Sequence, residues 1–412
     1  MKRRVVITGL GTINPLANDV ATTWERAKAG HNGIDFITRF DTSAVDVTIA
    51  GEIKNFDTEA YFGKKQLKRM DRFVQLGVIA TDEAINDAQF DLDALDKTRV
   101  GVFYGSGIGG IETIANQTET GLTKGFNRIS PFFIPMAIIN IVAGNIAIKY
   151  GFKGPATASV TACASAANSI GDAFRNIRDG YLDVCVTGGS EASITPLGIG
   201  GFRVMHALNT SNDPNSASMP FDKNRSGFVM GEGAGTLILE SYEHAKARGA
   251  KIYGEIVGFG STCDANHITS PDPEGEGAMT CMKMACEDGN IPLNMVDHIN
   301  AHGTSTPLND KIETLAIRKL FGAHADSISV SATKSMSGHL LGASGALESI
   351  FSVLALKDDF APPTINYKDF DPECDLDYTV NEGKARPMRV ALTNSLGFGG
   401  HNATLAFKKW EA

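Results

Sequence analysis

Apolar residues recur at helical spacing after residue 164, where Ala166, Ala167, Ile170, Ala173, Phe174 and Ile177 fall on one stripe. Gly180 stands where such a helix would stop. A β-branched run ends at Thr161, so Cys163 is predicted to sit on the turn between a buried strand and a helix N-terminus. Other strands are predicted at residues 4–9, 99–107, 184–190, 235–241, 253–260, 298–306 (running into a turn), 328–335, 389–400 and 403–409. Helices are predicted at roughly 66–88, 276–288 and 308–321, the last with Leu308, Ile312, Leu315, Ala316 and Leu320 facing inward. Residues 338–356 are apolar nearly all round and read as a buried helix that His339 opens. Residues 10–60 read as loop-rich, 111–123 as polar and poorly periodic, and 191–234 as a long insertion.

Three short echoes relate the two halves of the chain. SVTA (159–162) matches SVSA (329–332), VCVTGGS (184–190) matches VALTNSL (390–396), and GTLILES (235–241) matches ATLAFKK (403–409). They predict a duplicated α/β unit, residues 1–250 and 251–412, each half a mixed sheet with one helix buried between the sheets. Both buried helices would then aim their N-termini at a shared site, one begun by Cys163 and the other by Lys334 and His339.

Composition narrows the classes. A net charge of −9 argues against nucleic-acid binding. Within this acidic chain Lys64, Lys65, Lys68, Arg69 and Arg72 cluster, the last four at helical spacing on one face. That is either a solvated face or a landing site for an acidic partner. The six cysteines show no C-x-x-C pair and no zinc spacing, as suits a reducing, cytoplasmic setting. The opening MKRRVVITGLG is too short in its apolar part for a signal peptide, and no uninterrupted apolar run approaches membrane-spanning length. GSGIGG (105–110) has the wrong spacing for a dinucleotide fingerprint and is read as close packing beside a pocket.

A free cysteine is often a core hydrophobe. At a helix N-terminus, however, orphan amides and the helix dipole favour the thiolate, which is the nucleophilic form. His302, at a strand end, and His339 strengthen that reading, because a positioned nucleophile with nearby imidazoles is a catalytic pattern. Asp222, Arg225 and Glu232 in PFDKNRSGFVMGEGAG (220–235) suggest either a surface loop or a polar network fixing a loop near the site.

VTACASAANSIGDAF around Cys163, NAHGTSTPLND (300–310), ATKSMSGHLLGASGALE (332–348) and NSLGFGGHNA (394–403) resemble the signatures of the β-ketoacyl-[acyl-carrier-protein] synthases, type II above all. The resemblance runs over the whole chain. It implies a thiolase-like five-layer αβαβα fold, a homodimer, and decarboxylative Claisen condensation without metal or redox cofactor. It gives Cys163 the role of acyl-carrying nucleophile. The amides of Cys163 and Phe398 become the oxyanion hole, and His302 and His339 the donors to the malonyl thioester oxygen. Lys334 tunes them, Glu348 has a structural pairing role, with Lys334 or with backbone amides, and Asp310 is a structural residue. Ile108 and Phe202 would line the acyl pocket, Phe398 would gate it, and Gly399 would lie among the substrate contacts. Thr304 and Thr306 would either bind pantetheine or stabilise their turn. Lys64, Lys65, Lys68, Arg69, Lys124, Arg128 and Arg203 would receive acyl carrier protein. Leu396, His401 and Ser344 depart from the residues most relatives carry. A thiolase would need a second cysteine near the C-terminal glycine-rich loop, and none follows Cys374. A polyketide-type ketosynthase, or a non-catalytic chain-length partner, is the remaining alternative; the latter lacks the nucleophile.

Overall fold

The computed structural model describes residues 2–411. Its first five principal strands are β1 (Val5–Ile13), β2 (Val100–Gly105), β3 (Ala156–Thr157), β4 (Val184–Glu191) and β5 (Gly233–Ser241). Five more follow: β6 (Gly254–Cys263), β7 (Val296–Asn300), β8 (Ser329–Ser331), β9 (Val390–Gly397) and β10 (His401–Lys409). They form one sheet in the order β8-β7-β9-β10-β6-β1-β5-β4-β2-β3. Each strand of the first half has its counterpart five strands later, in the same relative position and direction. The register repeats as well: Val184 lies beside Val100 and Glu240, as Val390 lies beside Val296 and Lys408. The halves meet where β1 pairs with β6.

The helices used below are α1 (Val20–Lys28), α2 (Thr58–Leu67), α3 (Arg72–Ala88), α4 (Ile111–Lys124), α5 (Ser165–Arg178), α6 (Pro196–Val204), α7 (Glu276–Asp288), α8 (Pro307–Phe321) and α9 (Ser344–Asp358). The six-residue apolar stripe of α5 is buried, and α9 is buried from Ser344 to Leu356. These two helices touch each other and strands of both halves, forming the central core. A second core lies under α3 and a third under α7 and α8. Glycine permits the tightest of these contacts: a Cβ at Gly11 would lie 2.0 Å from the Ala80 carbonyl oxygen, so β1 can run directly beneath α3.

Several expectations need correction. The predicted helix at 66–88 is two helices, because Asp71 caps α3 through the Phe73 amide and also holds the Thr113 amide and hydroxyl. Arg72 therefore leaves the basic face and turns inward, where two 2.7 Å hydrogen bonds join it to the fully buried Glu232. Residues 111–124 form a helix despite their polarity; only Thr113 and Gly121 are buried, so no apolar stripe marks it. The loop-rich region contains α1, and the insertion contains α6. The strand before Cys163 is only Ala156–Thr157. Leu308 is exposed rather than inward-facing. His339 does not open the buried helix: α9 starts at Ser344, and Lys334 and His339 lie on the turns before it.

Candidate active site

Cys163 lies on a single 3-10 turn, Ala162–Ala164, that runs directly into α5. Ser165 braces the turn, its hydroxyl accepting from the Thr161 amide and donating to the Ala162 carbonyl. The corresponding turn Leu341–Ala343 leads into α9 and packs against it. The two helix starts thus converge, and His339 Nε2 comes within 3.2 Å of Cys163 Sγ. His302, carried from the end of β7, places its ring 5.3 Å from that of His339, nearly perpendicular.

Hydrogen bonds fix both imidazole tautomers. His339 Nδ1 accepts from the Leu341 amide, so its hydrogen is on Nε2, facing the sulfur. Ser344 Oγ lies 2.9 Å from the same Nδ1, so the serine that departs from the usual pattern touches the site. Lys334 Nζ donates to the His302 carbonyl at 2.7 Å and approaches His302 Nδ1 at 3.4 Å, leaving the hydrogen on Nε2 there too. Burial, with the Lys334 charge added, holds both histidines well below the usual imidazole pKa, so both are neutral. Lys334 also pairs with the buried Glu348. Burial pushes that carboxyl up, against the pull of Lys334.

The thiol departs from expectation. Its amide contacts to Phe398 and Cys163 and the Lys334 charge favour the thiolate, but burial outweighs them and pushes the pKa up to about 11. The resting nucleophile is a neutral thiol. Cys163, His302 and His339 present three ligand atoms within 4.8 Å of one another, a size that suits a metal ion. Both inward nitrogens carry hydrogen, however, and a metal needs their lone pairs. The set is built to donate hydrogen bonds.

These groups close a cavity of about 340 Å³, walled by Phe202, Phe228, Leu341, Leu396 and Phe398 on its apolar side. Phe398 stacks at a tilt on Phe202, 6.2 Å between centroids. Thr304 and Thr306 line the cavity with their hydroxyls 2.9 Å apart. Ile108 is one layer back, in the cluster that contains Phe202, Phe228 and Leu341. Gly399 is absent from the wall; its amide turns outward to the Ile268 carbonyl. Asp310 is fully buried and accepts from the Phe221 and Ser305 amides, with Arg225 3.7 Å away. Arg225 and Asp222 do form a polar network, but one that ties the insertion to residues 368–371: Arg225 donates to Asp371, and Asp222 accepts from the Lys368 and Asp369 amides, while Glu232 belongs instead to Arg72.

Lys64, Lys65, Lys68 and Arg69 share one shallow surface hollow with Ser130, Pro131 and Phe132, and the Arg69 guanidinium lies 4.9 Å over the Phe132 ring. Lys124 and Arg128 are exposed but outside that hollow. Arg203 is bound to Asp46 through three contacts and is not a free cation. Sequence reasoning missed two buried carboxylates. Glu313 accepts from the His302 and Gly303 amides, and Glu191 accepts from the loop after β2. An acidic residue ending an apolar strand, or set among apolar helix positions, was the available signal.

This geometry defines a condensing enzyme with a cysteine nucleophile and two imidazole donors. Residues 2–245 match the N-terminal domain of beta-ketoacyl synthase and residues 253–368 its C-terminal domain. The chain is 52% identical over 410 residues to "3-oxoacyl-[acyl-carrier-protein] synthase 2" of Staphylococcus aureus (strain COL), covering 100% of this chain and 99% of that one. A beta-ketoacyl synthase from Burkholderia phymatum STM815 superposes with a TM-score of 0.93 at 33% identity, over 99% of this chain and 100% of that one. A type II polyketide ketosynthase, solved with its acyl-carrier protein, gives 0.88 at 34% identity with full coverage of both chains. The chain belongs to the beta-ketoacyl synthase family. Within it, the chain is an acyltransferase of the type II 3-oxoacyl-[acyl-carrier-protein] synthases, which act in fatty-acid elongation.

Proposed function

We infer that the site runs two half-reactions on carrier-bound substrates. In the first, the Cys163 sulfur attacks an acyl thioester; a new C–S bond forms, the old one breaks, and the proton leaves with the carrier thiol. The amides of Cys163 and Phe398 face the oxygen that becomes negative, a contribution of about 3 kcal/mol per donor. In the second, malonyl-carrier loses carbon dioxide, and its enolate carbon attacks the Cys163-bound carbonyl. The Nε2 hydrogens of His302 and His339 hold the enolate oxygen. The bond to the Cys163 sulfur then breaks, freeing a 3-oxoacyl thioester and the Cys163 thiolate, which takes up one proton from water to restore the resting thiol. The observation that carries this reading is the pair of fixed Nε2 donors, one of them 3.2 Å from the thiol.

Phe202 and Ile108 shape the acyl end of the pocket, Phe398 and Gly399 the loop at its entrance, and Thr304 and Thr306 hold the pantetheine amides. Lys334, Glu348 and Asp310 support the site. Acyl carrier protein docks on Lys64, Lys65, Lys68 and Arg69, with Lys124 and Arg128 at the margin and Arg203 released from Asp46. The matching strand registers and the three cores support a five-layer αβαβα reading in two halves, 1–250 and 251–412. The exposed edge strand β3 supports a homodimer that extends the sheet. The six free cysteines support a cytoplasmic setting, and no helix among the described residues is long and apolar enough to cross a membrane.

Intact-protein mass spectrometry tests the chemistry. Acyl-carrier protein should add one acyl group, absent in Cys163→Ala, and malonyl-carrier protein should discharge it as 3-oxoacyl product. A folded protein that takes up no acyl group would refute the reading.

A further inference from the structure

The two helix starts are counterparts residue by residue. Ala162 and Leu341 both adopt left-handed backbone, φ 49° and 48°, each opening a 3-10 turn that ends one residue before its helix. Cys163 therefore corresponds to Gly342, and Ser165 to Ser344. The strands agree: β4 and β9 share one register, which makes Glu191, paired with Gly233, the counterpart of Gly397, paired with His401, at their ends. Gly397 sits over the Cys163 amide, where a Cβ on it would come 3.1 Å from that nitrogen. In the other half the equivalent amide, that of Gly342, donates to Glu191 Oε2 at 3.1 Å.

Glu191 is fully buried and meets donors on all sides. Oε2 also accepts from the Gly107 amide at 2.7 Å, and Oε1 from the Ile108 and Gly109 amides and the Ser106 hydroxyl. No lysine or arginine is among these partners; four backbone amides answer the carboxylate, with the Ser106 hydroxyl beside them and the Ser193 hydroxyl 3.5 Å away. There is no space for a second nucleophile here: a Cβ at Gly342 would lie 2.1 Å from the Gly107 nitrogen.

We propose that the duplicated fold contains a second oxyanion-type hole, formed by the amides of Gly342 and Gly107–Gly109 and filled by the Glu191 carboxylate, and that Glu191 is thereby a positioning residue for the condensation. One carboxylate ties the loop bearing Ile108 to the turn between His339 and α9. It fixes the acyl pocket and the Leu341 amide that sets the His339 tautomer. The proposal rests on the Cys163 chemistry above, which the unmodified enzyme tests separately in the same assay.

The experiment is chemical rescue. Glu191→Ala should cut condensation about tenfold or more, since small displacements of reacting groups carry such costs. Added formate or acetate should restore it saturably, while chloride at equal ionic strength should not. Glu191→Gln keeps the hole filled but turns an amide N–H₂ toward amide donors. It should also be impaired, with an altered acyl chain-length profile, and should not respond to formate. Rescue of the alanine variant together with an unresponsive glutamine variant supports the proposal. A folded Glu191→Ala that formate does not rescue overturns it. If the alanine variant fails to fold, a Glu191→Gln enzyme with normal rate and chain-length profile overturns it, and an impaired one with an altered profile supports it.

Discussion

Lys334 Nζ lies 2.7 Å from the His302 carbonyl oxygen and also pairs with Glu348, both partners being buried. One ammonium thus holds a catalytic-site backbone, faces an imidazole nitrogen and answers a buried carboxylate. Lys334→Ala should destabilise the protein by about 3–5 kcal/mol, because it leaves Glu348 buried without its counter-charge. The apolar double variant Lys334→Met, Glu348→Leu should recover much of that stability without recovering decarboxylation. Denaturant titration and carbon dioxide release separate the two effects.

The Cys163 thiol, pushed up to about 11 by burial, predicts a pH profile. Alkylation by iodoacetamide should rise about tenfold per pH unit from 7 to 9, following the thiolate fraction, with no plateau in that range. A plateau near pH 7 would mean the thiolate is already formed at rest.

Both histidines are neutral in the fold and well below 6.5, whereas an unfolded histidine titrates near that value. Below pH 6.5 the unfolded chain binds protons that the native chain refuses, so each histidine subtracts stability as pH falls. His302→Gln should therefore lose less stability than the unmodified protein between pH 6.5 and 5, measured as the shift in denaturation midpoint. Its condensation should fall about a hundredfold at neutral pH, through loss of the Nε2 donor.

If acyl carrier protein docks in the hollow beside Phe132, charge reversal of Lys65 and Arg69 should raise KM for carrier-bound substrates more than for a simple pantetheine thioester. The effect should shrink with added salt. Equal changes with both substrates would remove the docking assignment.

Arg72→Ala should behave differently, although it is only three residues from Arg69. It leaves the fully buried Glu232 with Arg39, 4.0 Å away, in place of two direct guanidinium bonds, and should cost about 3 kcal/mol of stability. It should show no selective effect on carrier-bound substrate.

The architecture was legible because burial leaves a local trace. The α5 stripe, the apolar run of α9 and the echoes of β4 with β9 and β5 with β10 are patterns within a few residues. α4 was not legible, since a helix packed by only two residues carries no stripe. The basic face was misjudged at Arg72 because the chain kinks at Asp71, whose carboxylate is claimed by Thr113 from another element.

The sequence by itself determined the duplicated α/β framework and put a cysteine and two histidines at the ends of its strands and helices. Only the tertiary structure decided how those groups are protonated. The His339 tautomer follows from the Leu341 amide, the His302 tautomer from Lys334, and the neutral thiol from desolvation around Cys163. Glu191, too, acquires its role only when β4, the loop after β2 and the turn before α9 meet. Periodicity reports which face of an element is buried. Proton positions depend on fields and hydrogen bonds among residues far apart in the chain, and they exist only once those residues are packed together.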